Sequence, residues 1–223
     1  MTAIETVFKY MPYLIKGLGC TVLVSVEAII IALVIGTLLS VLRMMSDNRI
    51  GKILKKIIAV YISFVRGTPI LVQIYLIYQA LAIMGLNLSA FTSGVIALSL
   101  NSGGFIAEII RGGLTAIPKG QKEAATALGM SKTKIWTRIV LPQVYRITAN
   151  QLTSEFINVI KVSPMLSILG IVELTRTAQK LVPQTFTICG TLPFYIAIAV
   201  FYFIVCALLE ELVKYQEKKK IAS

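Results

Sequence analysis

The sequence predicts an all-α membrane protein, and three observations lead there. Mean hydropathy is +0.83. Only 14% of the 223 residues are charged, against about a quarter in a typical soluble domain. Five apolar stretches, residues 19–42, 57–85, 90–110, 147–171 and 191–213, are each long enough to cross a hydrocarbon core of about 30 Å. A single membrane domain over residues 1–223 is therefore expected, with no low-complexity segment and no internal repeat.

Each stretch carries its own polar signature. The first holds Glu27, read as a bundle-facing hydrogen-bonding group. The second holds Arg66 before Gly67, Thr68 and Pro69. Pro69 has no N–H to give the carbonyl of Val65, so a kink is expected there, with Arg66 satisfying freed carbonyls or a nearby carboxylate. The third holds Asn101 beside Gly103 and Gly104, which permit close helix contact, so Asn101 either lines a path or glues helices together. Glu108 and Arg111 share one helical face near its end and read as a structural pair.

The fourth stretch carries Gln151, Ser154, Glu155, Asn158 and Lys161 at i, i+3, i+4, i+7 and i+10. That spacing makes one polar stripe on an otherwise lipid-compatible helix, which is either interhelical glue or the wall of a water-filled path. Val162-Ser163-Pro164-Met165 follows, where Pro164 should break the helix and Ser163 should cap a restarted one. The fifth stretch is featureless apart from Cys206. The cysteines, Cys20, Cys189 and Cys206, lack CxxC spacing and read as free thiols.

Residues 112–146 interrupt this lipid-compatible pattern. Pro118 can open a short helix that Gly129 ends, and Ser131 can cap a second one running to Leu141 before Pro142. The small side chains of Ala124, Ala125 and Ala127 would let another backbone approach closely. Such a helix suits a groove on a soluble partner; it equally suits an amphipathic loop resting on headgroups.

Basic residues set the orientation. Sixteen Lys and Arg fall on one side of the five stretches, in the first and third connections and the C-terminal tail, and four on the other. The positive-inside rule then puts the N-terminus outside and residues 112–146 and the C-terminus in the cytoplasm. The same distribution argues against nucleic acid as the partner behind the net charge of +12. The absence of His removes His-based catalysis and His metal ligation.

EAATALG (123–129) with Ile139, Leu141 and Pro142 fits an EAA–x3–G–x9–I–x–LP pattern. It resembles the coupling loop of permease subunits of bacterial ABC importers. FVRGTPILVQ (64–73), AEIIRGGLTAIPKGQ (107–121) and EFINVIK (155–161) are similar to the polar amino-acid branch of that family. The resemblance spans nearly the whole chain. It implies the type I ABC importer permease fold, a multi-pass place in the bacterial cell membrane, and a second permease chain, most simply a homodimer. It further implies a cytoplasmic ATPase dimer that binds ATP and Mg, and an extracytoplasmic amino-acid-binding protein. Glu123, Ala124, Ala125 and Gly129 would then dock the ATPase, with Leu141 and Pro142 setting the exit of the loop.

No GxxxxGK[ST] is present, so ATP hydrolysis is assigned to the partner and the chain itself is expected to carry no cofactor. Asn101, Ser154, Glu155, Asn158, Lys161, Ser163, Pro164 and Met165 are the candidate substrate path. Lys161 beside the expected helix start would receive an amino-acid carboxylate; the plain alternative is a proline kink with Lys161 paired to Glu155. Where relatives commonly have an acidic residue after the lysine, this chain has Val162. That departure favours a neutral or sulfur-containing amino acid such as cystine over arginine, lysine or histidine, with glutamine also open. An ion-coupled secondary transporter, using Glu155 and Lys161 as a relay, and a membrane scaffold are the rival readings.

Overall fold

The computed structural model describes residues 3–44, 48–182 and 188–221, and the side chains of residues 5–44, 48–182 and 191–215. The regular elements among them are all helical: α1 (Ala3–Leu42), α2 (Arg49–Gly67), α3 (Ile70–Ile83), α4 (Ala90–Ala116), α5 (Lys119–Ala127), α6 (Lys132–Ile135), α7 (Leu141–Val162), α8 (Leu174–Leu181) and α9 (Ile188–Ile221). A π turn (Trp136–Val140) joins α6 to α7, and a 3-10 segment (Ser163–Leu169) extends α7. Cys20 and Cys206 are free thiols; Cys189 and Lys218, Lys219 and Lys220 of the tail have side chains outside the described residues.

Among the described residues, four helical stretches are long and apolar enough to cross a membrane: Glu5–Leu42, Ala90–Ala116, Lys132–Leu169 and Thr191–Tyr215. The second expected span is different. α2 and α3 meet at an angle of 119° across Thr68 and Pro69, so residues 57–85 are not one straight helix but span the bend between the two. Proline explains the position, because no N–H is available there for the carbonyl of Val65. The group that mends the gap is not Arg66, which is exposed. Gln73, buried at 3% exposure, turns its Nε2 back to donate to the Val65 carbonyl at 2.9 Å and the Thr68 hydroxyl at 2.7 Å.

Helix α4 is the centre of the bundle. Two thirds (67%) of its most apolar window is buried, against 17% in the corresponding window of α9, whose Phe203, Leu208 and Leu212 face outward. Glycines let its neighbours close in. A Cβ on Gly103 would lie 2.8 Å from Ile35 of α1, and one on Gly104 would lie 2.9 Å from Val65 of α2. On α1 the reciprocal position is Gly36, where a Cβ would lie 2.5 Å from Ile106. Small residues at both surfaces are how helices approach in lipid, where burial from water gives no drive.

Two boundaries move from expectation. α1 begins far upstream of residue 19, and its 40 residues run about 60 Å. Val7 and Leu14 of that early part pack with Leu174, Ala178 and Leu181 of α8 and Phe194 of α9. The second helix of the loop does not stop before Pro142. It continues through the π turn into α7, because the amide of Leu141 bonds the carbonyl of Trp136 five residues back. That wider turn places Pro142 where its missing N–H and its ring are tolerated.

Candidate functional site

The loop over residues 112–146 folds into a short helix strapped against the start of α7. α5 follows Pro118 and ends in a Schellman motif. The amide of Met130 bonds the Ala125 carbonyl at 3.1 Å, and that of Gly129 bonds Thr126 at 3.0 Å. Gly129 has φ +71°, the left-handed conformation this reversal requires. Ser131 then caps α6, accepting from the Lys134 amide.

The two faces of α5 differ. Ala125 is only 3% exposed and packs with Ile117, Ile135, Val140 and Val144, so it anchors the helix to the bundle and is not offered to a partner. Glu123, Ala124, Ala127 and Gly129 are exposed, and Leu128 is 82% exposed at the helix end. Sequence reasoning did not single out Leu128. Its signal was a lone leucine in an otherwise small and polar helix, beside the glycine that ends it.

Three contacts hold α5 to the rod that begins at α6. Ala125 sits in the core described above. Gln143 of α7 donates to Gln121 at 2.7 Å, and the Lys122 ammonium lies 5.3 Å from the centre of the Trp136 ring. Leu141 is half-buried and Pro142 exposed where the loop joins α7.

On α7, Gln151, Ser154, Asn158 and Lys161 are all exposed, and Met165 beyond them is 41% exposed. A helix advances about 100° per residue, so the four polar positions form a strip on one side. Glu155 belongs to the neighbouring, buried side, where it accepts from Ser102 of α4 at 2.7 Å. Asn101 is buried as well and donates to the Gln73 side chain at 3.0 Å, tying α4 to the bend between α2 and α3. Ser163 does not cap a new helix. Its hydroxyl donates to Ile160 at 2.9 Å, and α7 tightens directly into the 3-10 segment that carries Pro164 in its first turn. The 3-10 segment ends at Gly170, φ +88°.

Glu108 joins two cations. It pairs with Arg43, just past α1, and with Arg111 on its own helix at 2.8 Å. Arg66 lies exposed on the neighbouring α2.

Residues 28–221 match the family of binding-protein-dependent transport system inner membrane components. A putative glutamine transport permease, GlnP, of Rickettsia felis is 37% identical over 98% of this chain and 99% of its own. The L-cystine permease TcyB of Bacillus subtilis is 33% identical, over 90% and 83%. A crystal structure of an amino-acid ABC transporter with histidines superposes with a TM-score of 0.83 at 35% identity, covering 96% of this chain and 97% of that one. The chain belongs to the polar amino-acid ABC permease family. It is a multi-pass inner-membrane permease and the non-catalytic membrane component of its transporter, which sets the ion-coupled and scaffold readings aside. As a component of a binding-protein-dependent system, the permease implies an ATPase and a binding protein as partners.

One further element of the permease escaped the sequence reading. α8 lies between α7 and α9, capped by the buried carboxylate of Glu173, which accepts from the amides of Thr175 (2.8 Å) and Arg176 (2.6 Å) and from the Tyr202 hydroxyl (3.0 Å). Leu174, Ala178 and Leu181 face the core at i, i+4 and i+7, a helical spacing that was visible in the sequence.

Proposed function

We propose that α5 is the surface through which a cytoplasmic ATPase drives the permease, and that the strip on α7 lines the path of a polar amino acid. The N-terminus lies outside and α5 in the cytoplasm. The observation that carries the coupling role is the two-sidedness of α5: Ala125 fastens it to the bundle while Glu123, Ala124, Ala127 and Leu128 face outward. An exposed leucine among small residues at a helix end suits insertion into a groove of a soluble protein. Gly129 shapes the end of that helix, and Leu141 and Pro142 fix its exit into α7.

The path follows from cost. Ser154, Asn158 and Lys161 on an outward face of a membrane span cannot be left against lipid tails. A second permease chain, most simply another copy, would enclose them with water between. Met165 continues the same side, and Glu155, Asn101, Ser163 and Pro164 shape the wall from behind. Lys161 receives the carboxylate of the amino acid. ATP favours the closed ATPase dimer, and that state-dependent binding is what shifts the permease between outward and inward access.

For the substrate, Val162 beside Lys161 offers no countercharge to a basic side chain, which supports a neutral or sulfur-containing amino acid such as cystine. Glutamine fits the same chemistry. The test is reconstitution of the permease with its ATPase and binding protein in liposomes, comparing ATPase stimulation by cystine, glutamine, arginine and histidine. Stimulation by cystine or glutamine is expected. Stimulation by arginine alone would overturn the substrate assignment, and labelling of a cysteine at Ala124 from outside intact cells would overturn the orientation.

A further inference from the structure

The polar amino-acid path leaves one charged cavity unused. Where α1 ends, a pocket of about 450 Å³ opens between α2 and α4, lined by Arg43, Lys55, Lys56, Arg111, Leu114 and Thr115. A second hollow of about 410 Å³ shares Arg43 with it and continues along α2 past Ser63 to Arg66. Five cations therefore border one continuous groove. The carboxylate on its wall, Glu108, is already engaged by both Arg43 and Arg111. Arg43 and Arg111 share that one carboxylate, and Lys56 and Arg66 add to them, so a surplus of positive charge remains on three separate segments that would repel one another.

We infer that this groove binds a phosphate-bearing anion, the phosphodiester headgroup of an anionic phospholipid. A free phosphate shares the charge chemistry, but the surroundings favour a lipid. Ile53, Ile57, Val60 and Phe64 of α2 are all about half exposed or more and form an apolar flank along the same helix. Lys56, four residues before Val60, sits beside that flank on the helix, so a headgroup at Lys56 would leave its acyl chains there. Basic pockets between spans are the usual seat of anionic headgroups. The headgroup neutralises three segments at once and braces the end of α4, from which the chain leads directly into α5. The cytoplasmic leaflet is assigned on the orientation proposed above; the site itself does not depend on it.

The experiment uses the permease with its ATPase in phosphatidylcholine nanodiscs carrying graded phosphatidylglycerol, with retained lipids counted by native mass spectrometry. The native protein is expected to retain phosphatidylglycerol selectively. The K56Q variant should weaken that retention roughly fivefold, while K56R should preserve it. Equal headgroup preference in the native and K56Q proteins overturns the inference. So does full displacement of the lipid by millimolar inorganic phosphate, which assigns the groove to a small anion. Loss of selectivity only when the ATPase is bound would make the groove part of the protein interface, and would likewise overturn it. Lipid counts are read without transport, so they stand whether or not the assigned substrate path is right.

Discussion

Gln73 is the residue on which the bend between α2 and α3 depends, and replacing it with leucine tests that directly. The native side chain satisfies the Val65 carbonyl, orphaned by Pro69, and accepts from Asn101 of α4. Gln73→Leu leaves both groups without a partner in a buried place. Each unsatisfied group costs about 1–3 kcal/mol, and in a bilayer a buried leucine returns little, so a loss of about 2–6 kcal/mol is expected. The assay is equilibrium unfolding in bicelles, run as a double-mutant cycle with Asn101→Leu. Because the two side chains share a hydrogen bond, the double variant should lose less than the two single losses added together, by at least about 0.5 kcal/mol. Native-like stability of Gln73→Leu, or simple additivity in the cycle, would refute the claim that Gln73 holds the bend.

Three further outcomes are expected at the sites assigned above. Leu128→Asp should leave the permease folded and monodisperse, since the side chain is 82% exposed, yet lower co-purification of the ATPase and coupled uptake at least about tenfold, as for a hot-spot contact. Gly129→Val should strain the left-handed turn by roughly 1–2 kcal/mol and impair coupling, whereas Gly129→Asn should retain most of it. A Cβ at Gly129 meets nothing within 4 Å, so the difference isolates backbone conformation; equal uptake by the two variants would count against it. Lys161→Gln should raise the substrate concentration for half-maximal uptake about tenfold, the worth of one charged hydrogen bond, while binding-protein affinity stays unchanged.

How much of this was legible depends on how local the signal is. The end of α5 was legible because a glycine after an alanine-rich run has few other uses, and Ser131 was legible as a cap. The strip on α7 was legible because i, i+3, i+7 and i+10 coincide on a helix. The angle at Thr68 and Pro69 was not, because hydropathy measures length and ignores direction. The sequence marked the defect at Pro69 but could not say that Gln73, four residues on, would fill it and so make a sharp bend stable. α8 was legible and passed over: Glu173 with Leu174, Ala178 and Leu181 is a capped amphipathic turn, obscured by the longer apolar runs on either side.

The π turn explains how the two proposed sites can act as one body. Ile135 and Val140 are five residues apart, which on a regular helix would set them about 140° apart. Both are nonetheless buried, together with Val144, because the wider turn brings them to the same face. The rod from Lys132 to Leu169 is therefore 38 residues of unbroken helix, about 57 Å long. One end is strapped to α5 through Gln121, Lys122 and Ala125, and the other carries the polar strip and Ser163–Leu169. No loose linker separates them. Displacement of α5 must move α7 unless the rod yields, and its one irregular turn before the strip is Trp136–Val140 beside Pro142. Coupling then requires no relay beyond that strap: the rod fastened to α5, the proposed receiver of the force, is the rod that carries the proposed path.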